Sequence, residues 1–168
     1  LASACVYLRT GRPALAEVSR LAAIGMEEAL HAAKDAPSTN GERVFAKTGA
    51  AGARGEAAAG FPTACAAAET LAGFISLGYC PEDAAALTLP AVMERLADTN
   101  LLHRGGEAGL AFAQQSAMRI NALPLTERLD ALGRLDDVFI EKNLSPGGCA
   151  DVLSLAILMR EIAGSIDL

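Results

Sequence analysis

Leu144-Ser145-Pro146-Gly147-Gly148-Cys149-Ala150-Asp151-Val152-Leu153 joins a charged helical stretch to a nearly apolar one. Pro146 stiffens the approach, and two adjacent glycines let a backbone turn tightly or come close to a ligand. The apolar run 152–159 follows at once. The stretch reads as a glycine loop feeding a helix N-terminus, whose free N–H groups and partial positive charge suit phosphate. An ordinary helix–helix turn has the same composition, so the rest of the chain has to decide between the two.

On the N-terminal side, residues 125–142 carry Leu125, Leu129, Leu132, Leu135, Val138 and Phe139 against a charged face. That is an amphipathic helix, and acids such as Asp136 and Asp137 belong to its solvated side rather than to a metal site. A last helix is expected over 150–163 and another over 107–121. Pro62 opens a helix with Leu71, Phe74 and Ile75 inward and Gly78 near its end. Pro81-Glu82-Asp83 starts the next, which Pro90 should kink or divide. Thr39 with Glu42 fits a capping box for a short helix over 41–47. Helices are also expected over 1–9 and 13–35, the latter carrying His31 as a structural residue. No stretch shows the sustained alternation of a strand. The expectation is an all-α fold, a single domain over 1–168 of about seven or eight packed helices with glycine-rich functional loops.

Composition agrees. Hydrophobic residues make up 52% of the 168, aromatics only 4%, with no Trp. The apolar content is thus mainly alanine and leucine, which favours close-packed helices. A net charge of −6 argues against nucleic acid as a partner, though a local cluster of cations still admits a small anion. Cys5, Cys65, Cys80 and Cys149 form no CxxC pair, and reduced thiols in a cytoplasmic protein are the simplest reading. No apolar run is long enough to span a membrane, and the N-terminus does not read as a signal peptide. The chain opens without Met and in a mid-helix pattern, so the natural protein is expected to begin earlier.

Two more glycine-bearing stretches complete the reading. Lys47-Thr48-Gly49-Ala50-Ala51-Gly52-Ala53-Arg54-Gly55-Glu56-Ala57-Ala58-Ala59-Gly60-Phe61-Pro62 has enough glycine to disfavour regular structure, and its embedded charges Lys47, Arg54 and Glu56 suggest a functional loop. Asp98-Thr99-Asn100-Leu101-Leu102-His103-Arg104-Gly105-Gly106 offers a carboxylate, an amide, an imidazole and a guanidinium within seven residues. Asp98 is also placed to cap a helix, and a lone His103 is more often a packing residue than a catalyst. Arg104 beside Gly105-Gly106 pairs a bidentate donor with exposed backbone N–H groups.

The segments 54–62, 98–106 and 144–151 together resemble the triphosphoribosyl-dephospho-CoA synthase family, that of CitG and MdcB. The resemblance covers essentially the whole chain but only the C-terminal part of the family, whose N-terminal threonine-histidine-basic-glycine motif is not found here. Cys149 departs from the expected serine, keeping the size of the side chain but losing a good hydroxyl donor. The resemblance implies an all-α fold and a reaction of ATP with 3′-dephospho-CoA that yields 2′-(5″-triphosphoribosyl)-3′-dephospho-CoA and adenine. That product is the precursor of the prosthetic group on the acyl carrier protein of citrate lyase or malonate decarboxylase.

Such chemistry needs a carboxylate against oxocarbenium character, a base for the attacking hydroxyl and donors for the triphosphate. Glu56 and Asp98 are the expected catalytic carboxylates and ligands of a Mg²⁺ that accompanies ATP; Asp151 sits just inside a helix start, where a cap is the sober role. Lys47, Arg54, Gly55, Asn100, His103, Arg104, Gly105, Ser145, Gly147, Gly148 and Asp151 are the expected binding set. Beyond the two substrates, a second copy of the chain or the family's N-terminal region are the candidate partners. The competing reading is a non-catalytic nucleotide- or partner-binding helical domain. A family member acting on a different alcohol is a third.

Overall fold

The computed structural model describes residues 37–164 continuously and scattered positions between 20 and 32. The helix expected over 1–9 lies outside the described residues, as do Cys5, His31 and most of 13–35. The described residues form seven helices and no strand: α1 Asn40–Thr48, α2 Gly52–Ala58, α3 Pro62–Ser76, α4 Pro81–Arg95, α5 Thr99–Ala122, α6 Leu125–Glu141 and α7 Gly147–Gly164. The all-α expectation holds.

Local sequence sets most of the boundaries. Thr39 and Glu42 form the capping box of α1, and Gly49 ends that helix in the left-handed conformation. Gly60, Gly78 and Asn143 take the same conformation after α2, α3 and α6. Behind each, the next amide reaches back five residues: Phe61 to Glu56, Tyr79 to Phe74, and Leu144 to Phe139. These are Schellman ends, which satisfy carbonyls the helix itself leaves unpaired.

Three expectations are corrected. The stretch after Lys47 is not mainly irregular, because Gly52–Ala58 is helical. Its alanines favour helix, and Gly60 with Phe61, both at positive φ, turns the chain by 95° into α3. Residues 99–105 are helical too, and only Gly106, at φ 61 and ψ −163, interrupts α5. Pro90 does not divide α4, which continues to Arg95. A proline inside a helix forfeits one backbone bond at a cost of roughly 3 kcal/mol. Here Pro90 is fully buried, and the packing of α4 against α3, α5 and α7 offsets that loss.

The core lies where α3, α4, α5 and α7 meet. Much of it is alanine: Ala64, Ala84, Ala113, Ala117 and Ala156 have no exposed surface. Small side chains let helix axes approach closely, and Leu87, Val92, Met93 and Leu101 fill the spaces between them. Residues 125–142 are helical as expected, but of their apolar stripe only Phe139 is buried; Leu135 packs partly buried against the core. No helix among the described residues is long and apolar enough to cross a membrane.

Candidate functional site

Asp98 is fully buried and caps α5. Its Oδ1 accepts the amides of Asn100 at 2.7 Å and Leu101 at 3.2 Å, and its Oδ2 accepts the amide of Cys149 at 2.8 Å. One carboxylate therefore ties together the first turns of α5 and α7. The two glycines of the opening motif serve this junction. A Cβ on Gly148 would stand 3.2 Å from the Asp98 carboxylate, and one on Gly147 would run into the Asn100 side-chain amide. Neither has positive φ, so their use is close approach rather than an unusual turn. Cys149 is buried beside them, and burial, followed by the Asp98 charge, pushes its thiol far above the ordinary range.

Glu56 plays a similar part at the corner between α2 and α3. Its Oε1 accepts the Thr63 hydroxyl at 2.6 Å and its Oε2 the Thr63 amide at 2.9 Å, so it caps α3. Both expected catalytic carboxylates thus hold helix starts, with each oxygen bonded to a protein donor.

Beside the Asp98 junction lies a pocket of about 280 Å³. Thr39, Gly41 and Phe45 line it from the start of α1, Ala51, Ala53 and Arg54 from α2, Thr99 and Asn100 from α5, and Gly148 and Asp151 from α7. Residues of all three sequence motifs meet here: Arg54 from the first, Asn100 from the second, Gly148 and Asp151 from the third. Arg54 Nη1 donates to Glu42 Oε1 at 2.5 Å, which leaves the rest of its guanidinium fork available. Glu42 is held well below the usual carboxylate range by the Thr39 amide first, then by the Ser38 hydroxyl and amide, and then by Arg54. The Asp151 carboxylate is exposed and has no hydrogen-bond or ion-pair partner among the described residues.

The remaining expected residues separate. Lys47 and His103 line a second pocket, of about 550 Å³, with Asn40, Arg43, Val44, Leu102 and Glu107. Arg104 donates to Asn143 Oδ1 at 2.9 Å, away from both pockets. Gly105 and Gly109 make a seat for Leu144, which a Cβ at either position would meet at 3.0 Å or closer. Arg104 and Gly105 therefore contact the α6–α7 turn and line neither pocket, apart from the rest of the expected binding set. Gly55 and Ser145 line neither pocket. Thr39, Thr99 and Asn40 were not among the expected residues; Thr39 was legible only as a cap, and Thr99 and Asn40 carry no distinguishing signal.

The residues present do not form a Mg²⁺ cage. No group of three or more His, Cys, Asp or Glu side chains that could hold a metal occurs among the described residues. Asp98 is fully buried and accepts three amides, which leaves it no face open to a hard cation, whereas Glu56 accepts two bonds and keeps a lone pair on each oxygen. Asp98 therefore does not fit the expected metal role, and Glu56 would bring a cation a single carboxylate.

Comparison with known proteins bears on the whole chain. Residues 5–166 match the model of the CitG family, described as ATP:dephospho-CoA triphosphoribosyl transferase. The chain is 45% identical over 123 residues to the "2-(5''-triphosphoribosyl)-3'-dephosphocoenzyme-A synthase" of Pectobacterium atrosepticum, covering 73% of this chain and 40% of that protein. It is 41% identical over 130 residues to the "Probable 2-(5''-triphosphoribosyl)-3'-dephosphocoenzyme-A synthase" of Vibrio cholerae, covering 75% of this chain and 42% of that protein. The chain thus spans about two fifths of the length of the curated relatives it matches. No solved structure matches.

Proposed function

Because the chain belongs to the CitG family of ATP:dephospho-CoA triphosphoribosyl transferases, we propose that it carries the triphosphate-binding part of such an enzyme. The observation that supports this is the meeting of three distant motifs, through Arg54, Asn100, Gly148 and Asp151, in one pocket at the first turns of α1, α5 and α7. The Asp98 carboxylate takes up the amides of Asn100, Leu101 and Cys149, so the donors left for a polyphosphate are the amides of Gly147 and Gly148 at the α7 start and the rest of the Arg54 guanidinium fork. The pocket's 280 Å³ accommodates a phosphate head.

In the proposed reaction the bond between ribose and adenine breaks, and the 2′-hydroxyl of 3′-dephospho-CoA bonds to the anomeric carbon. Adenine leaves with the bonding electron pair and takes up a proton, and the hydroxyl loses one. The triphosphate stays on the ribose, so a firm hold on it fixes the sugar relative to the acceptor. Asp151 is the pocket carboxylate with free oxygens, and it is assigned to face the positive charge that develops on the sugar. Mg²⁺ would enter with ATP, held by the phosphates. The product would serve as the prosthetic-group precursor for the acyl carrier protein of citrate lyase or malonate decarboxylase.

The test is free adenine, followed by chromatography, with Mg-ATP in the presence and absence of 3′-dephospho-CoA. Adenine is expected only when the acceptor is present, and Asp151→Asn should reduce its rate about a hundredfold or more. Adenine released equally without acceptor would show hydrolysis, and an unchanged rate in the variant would remove Asp151 from the chemistry.

A further inference from the structure

Two basic residues singled out by the sequence, Lys47 and His103, are not in the pocket where the motifs meet. They line the 550 Å³ pocket on the other face of α1. Neither side chain has a hydrogen-bond or ion-pair partner among the described residues. Their neighbour Arg43, in contrast, is committed to Asn40 Oδ1 at 2.9 Å and the Ser38 carbonyl at 3.1 Å. Val44 and Leu102, both half-buried, supply apolar wall.

We propose that this second pocket seats the acceptor nucleotide, with Lys47 and His103 on its diphosphate and Val44 and Leu102 against its nucleoside or pantetheine arm. The inference rests on the transferase reading above and adds the place of the second substrate. Size points the same way: the second pocket has about twice the volume of the first, and its 550 Å³ lies well within the roughly 300–1,000 Å³ of sites that enclose a whole small ligand. Charge decides the occupant. Glu107 is the acid of this pocket and pairs with neither cation-bearing side chain, so with only the neutral adenosine of ATP in place Lys47 and His103 would have no anionic partner. A diphosphate ester gives both an acceptor for their hydrogen bonds.

Placement is consistent with transfer. Thr39 and Gly41 of the α1 start face the first pocket, and Asn40 between them faces the second. Thr99 and Asn100 of α5 likewise line the first, and Leu102 and His103 the second. The starts of α1 and α5 form a common wall, past which the donor's ribose and the acceptor's hydroxyl would meet.

The experiment is calorimetric titration of the full chain with 3′-dephospho-CoA, ATP and inorganic tripolyphosphate, using Lys47→Ala, His103→Ala and Arg54→Ala. All three side chains are exposed, so the variants should fold, and an unchanged melting midpoint checks that. Lys47→Ala and His103→Ala should each weaken 3′-dephospho-CoA about tenfold and leave ATP and tripolyphosphate within about twofold. Loss for ATP alone would give the pocket to the donor's adenosine and overturn the inference. Equal loss for both nucleotides, no change, or no binding of 3′-dephospho-CoA to the unaltered chain would also overturn it. Tripolyphosphate that ignores Arg54→Ala would instead sink the first pocket's assignment, whatever Lys47 does.

Discussion

A buried carboxylate that accepts three amides from two helices holds those helices together. Asp98→Asn keeps the shape but replaces one acceptor oxygen with an NH₂ group, which cannot receive an amide. With Asn100, Leu101 and Cys149 all donating to this side chain, the variant should lose about 3 kcal/mol in urea unfolding. An unchanged urea midpoint would mean that Asp98 is not the clamp. Glu56→Gln retains one acceptor oxygen for Thr63 at a half-buried corner, and should cost only about 1 kcal/mol. If both residues act as caps, the folded fraction of Glu56→Gln should still release adenine. Glu42 has a pH signature. Its folded-state affinity for protons lies below its unfolded one, so the unfolded chain binds more protons as pH falls below the ordinary carboxylate value of 4.5. Its contribution is fully present above that pH and disappears on acidification. Glu42→Gln should flatten the acid limb of the melting curve, and an unaltered limb would show that the capping box does not carry it.

At the scale of the helix, the four cysteines of the sequence are not equivalent. Cys80 is exposed and caps α4, its sulfur accepting the Asp83 amide at 3.5 Å. Sulfur is a weak acceptor, so Cys80→Ser should stabilise the protein by roughly 0.5–1 kcal/mol, read from the thermal midpoint. Cys149 is buried in the first turn of α7 and held as a thiol. A thiol reagent should therefore label Cys80 in the native state and reach Cys149 only on unfolding; rapid labelling of Cys149 would mean that the α5–α7 junction opens. The glycines divide in the same way. Gly60, Gly78 and Gly106 serve backbone conformation, whereas Gly105, Gly109, Gly147 and Gly148 serve contact between elements. Only the first use can be anticipated from local sequence, since it depends on the residues next in the chain.

Across the whole molecule, helices packed through alanine leave little room for change. Leu101→Ala would open a cavity beneath the Asp98 junction and should cost about 2–5 kcal/mol. Ala117→Leu would force α5 away from its neighbours and should cost about 1–3 kcal/mol. A thermal midpoint that moved for neither would contradict the packing described. At this scale the expected binding set also parted. Arg54, Asn100, Gly148 and Asp151 came together, Lys47 and His103 formed a second pocket, and Arg104 and Gly105 turned to internal docking.

The amino-acid sequence by itself determined the helical class, the main helix starts at Pro62 and Pro81, the capping box at Thr39 and Glu42, and the three motifs that carry the family. These follow from periodicity, propensity and turn chemistry, which act between residues a few positions apart. It offered a cap at Asp98 beside a catalytic role without deciding between them, and it did not reveal that Glu56 holds a helix start, that α4 continues through Pro90, or which motif residues share a pocket. Those depend on what stands opposite each side chain: the Asp98–Cys149 bond joins residues 51 apart, and the Arg104–Asn143 bond joins residues 39 apart. Only the tertiary structure decides such pairings, because burial and the geometry of donors are set by the packing of whole helices.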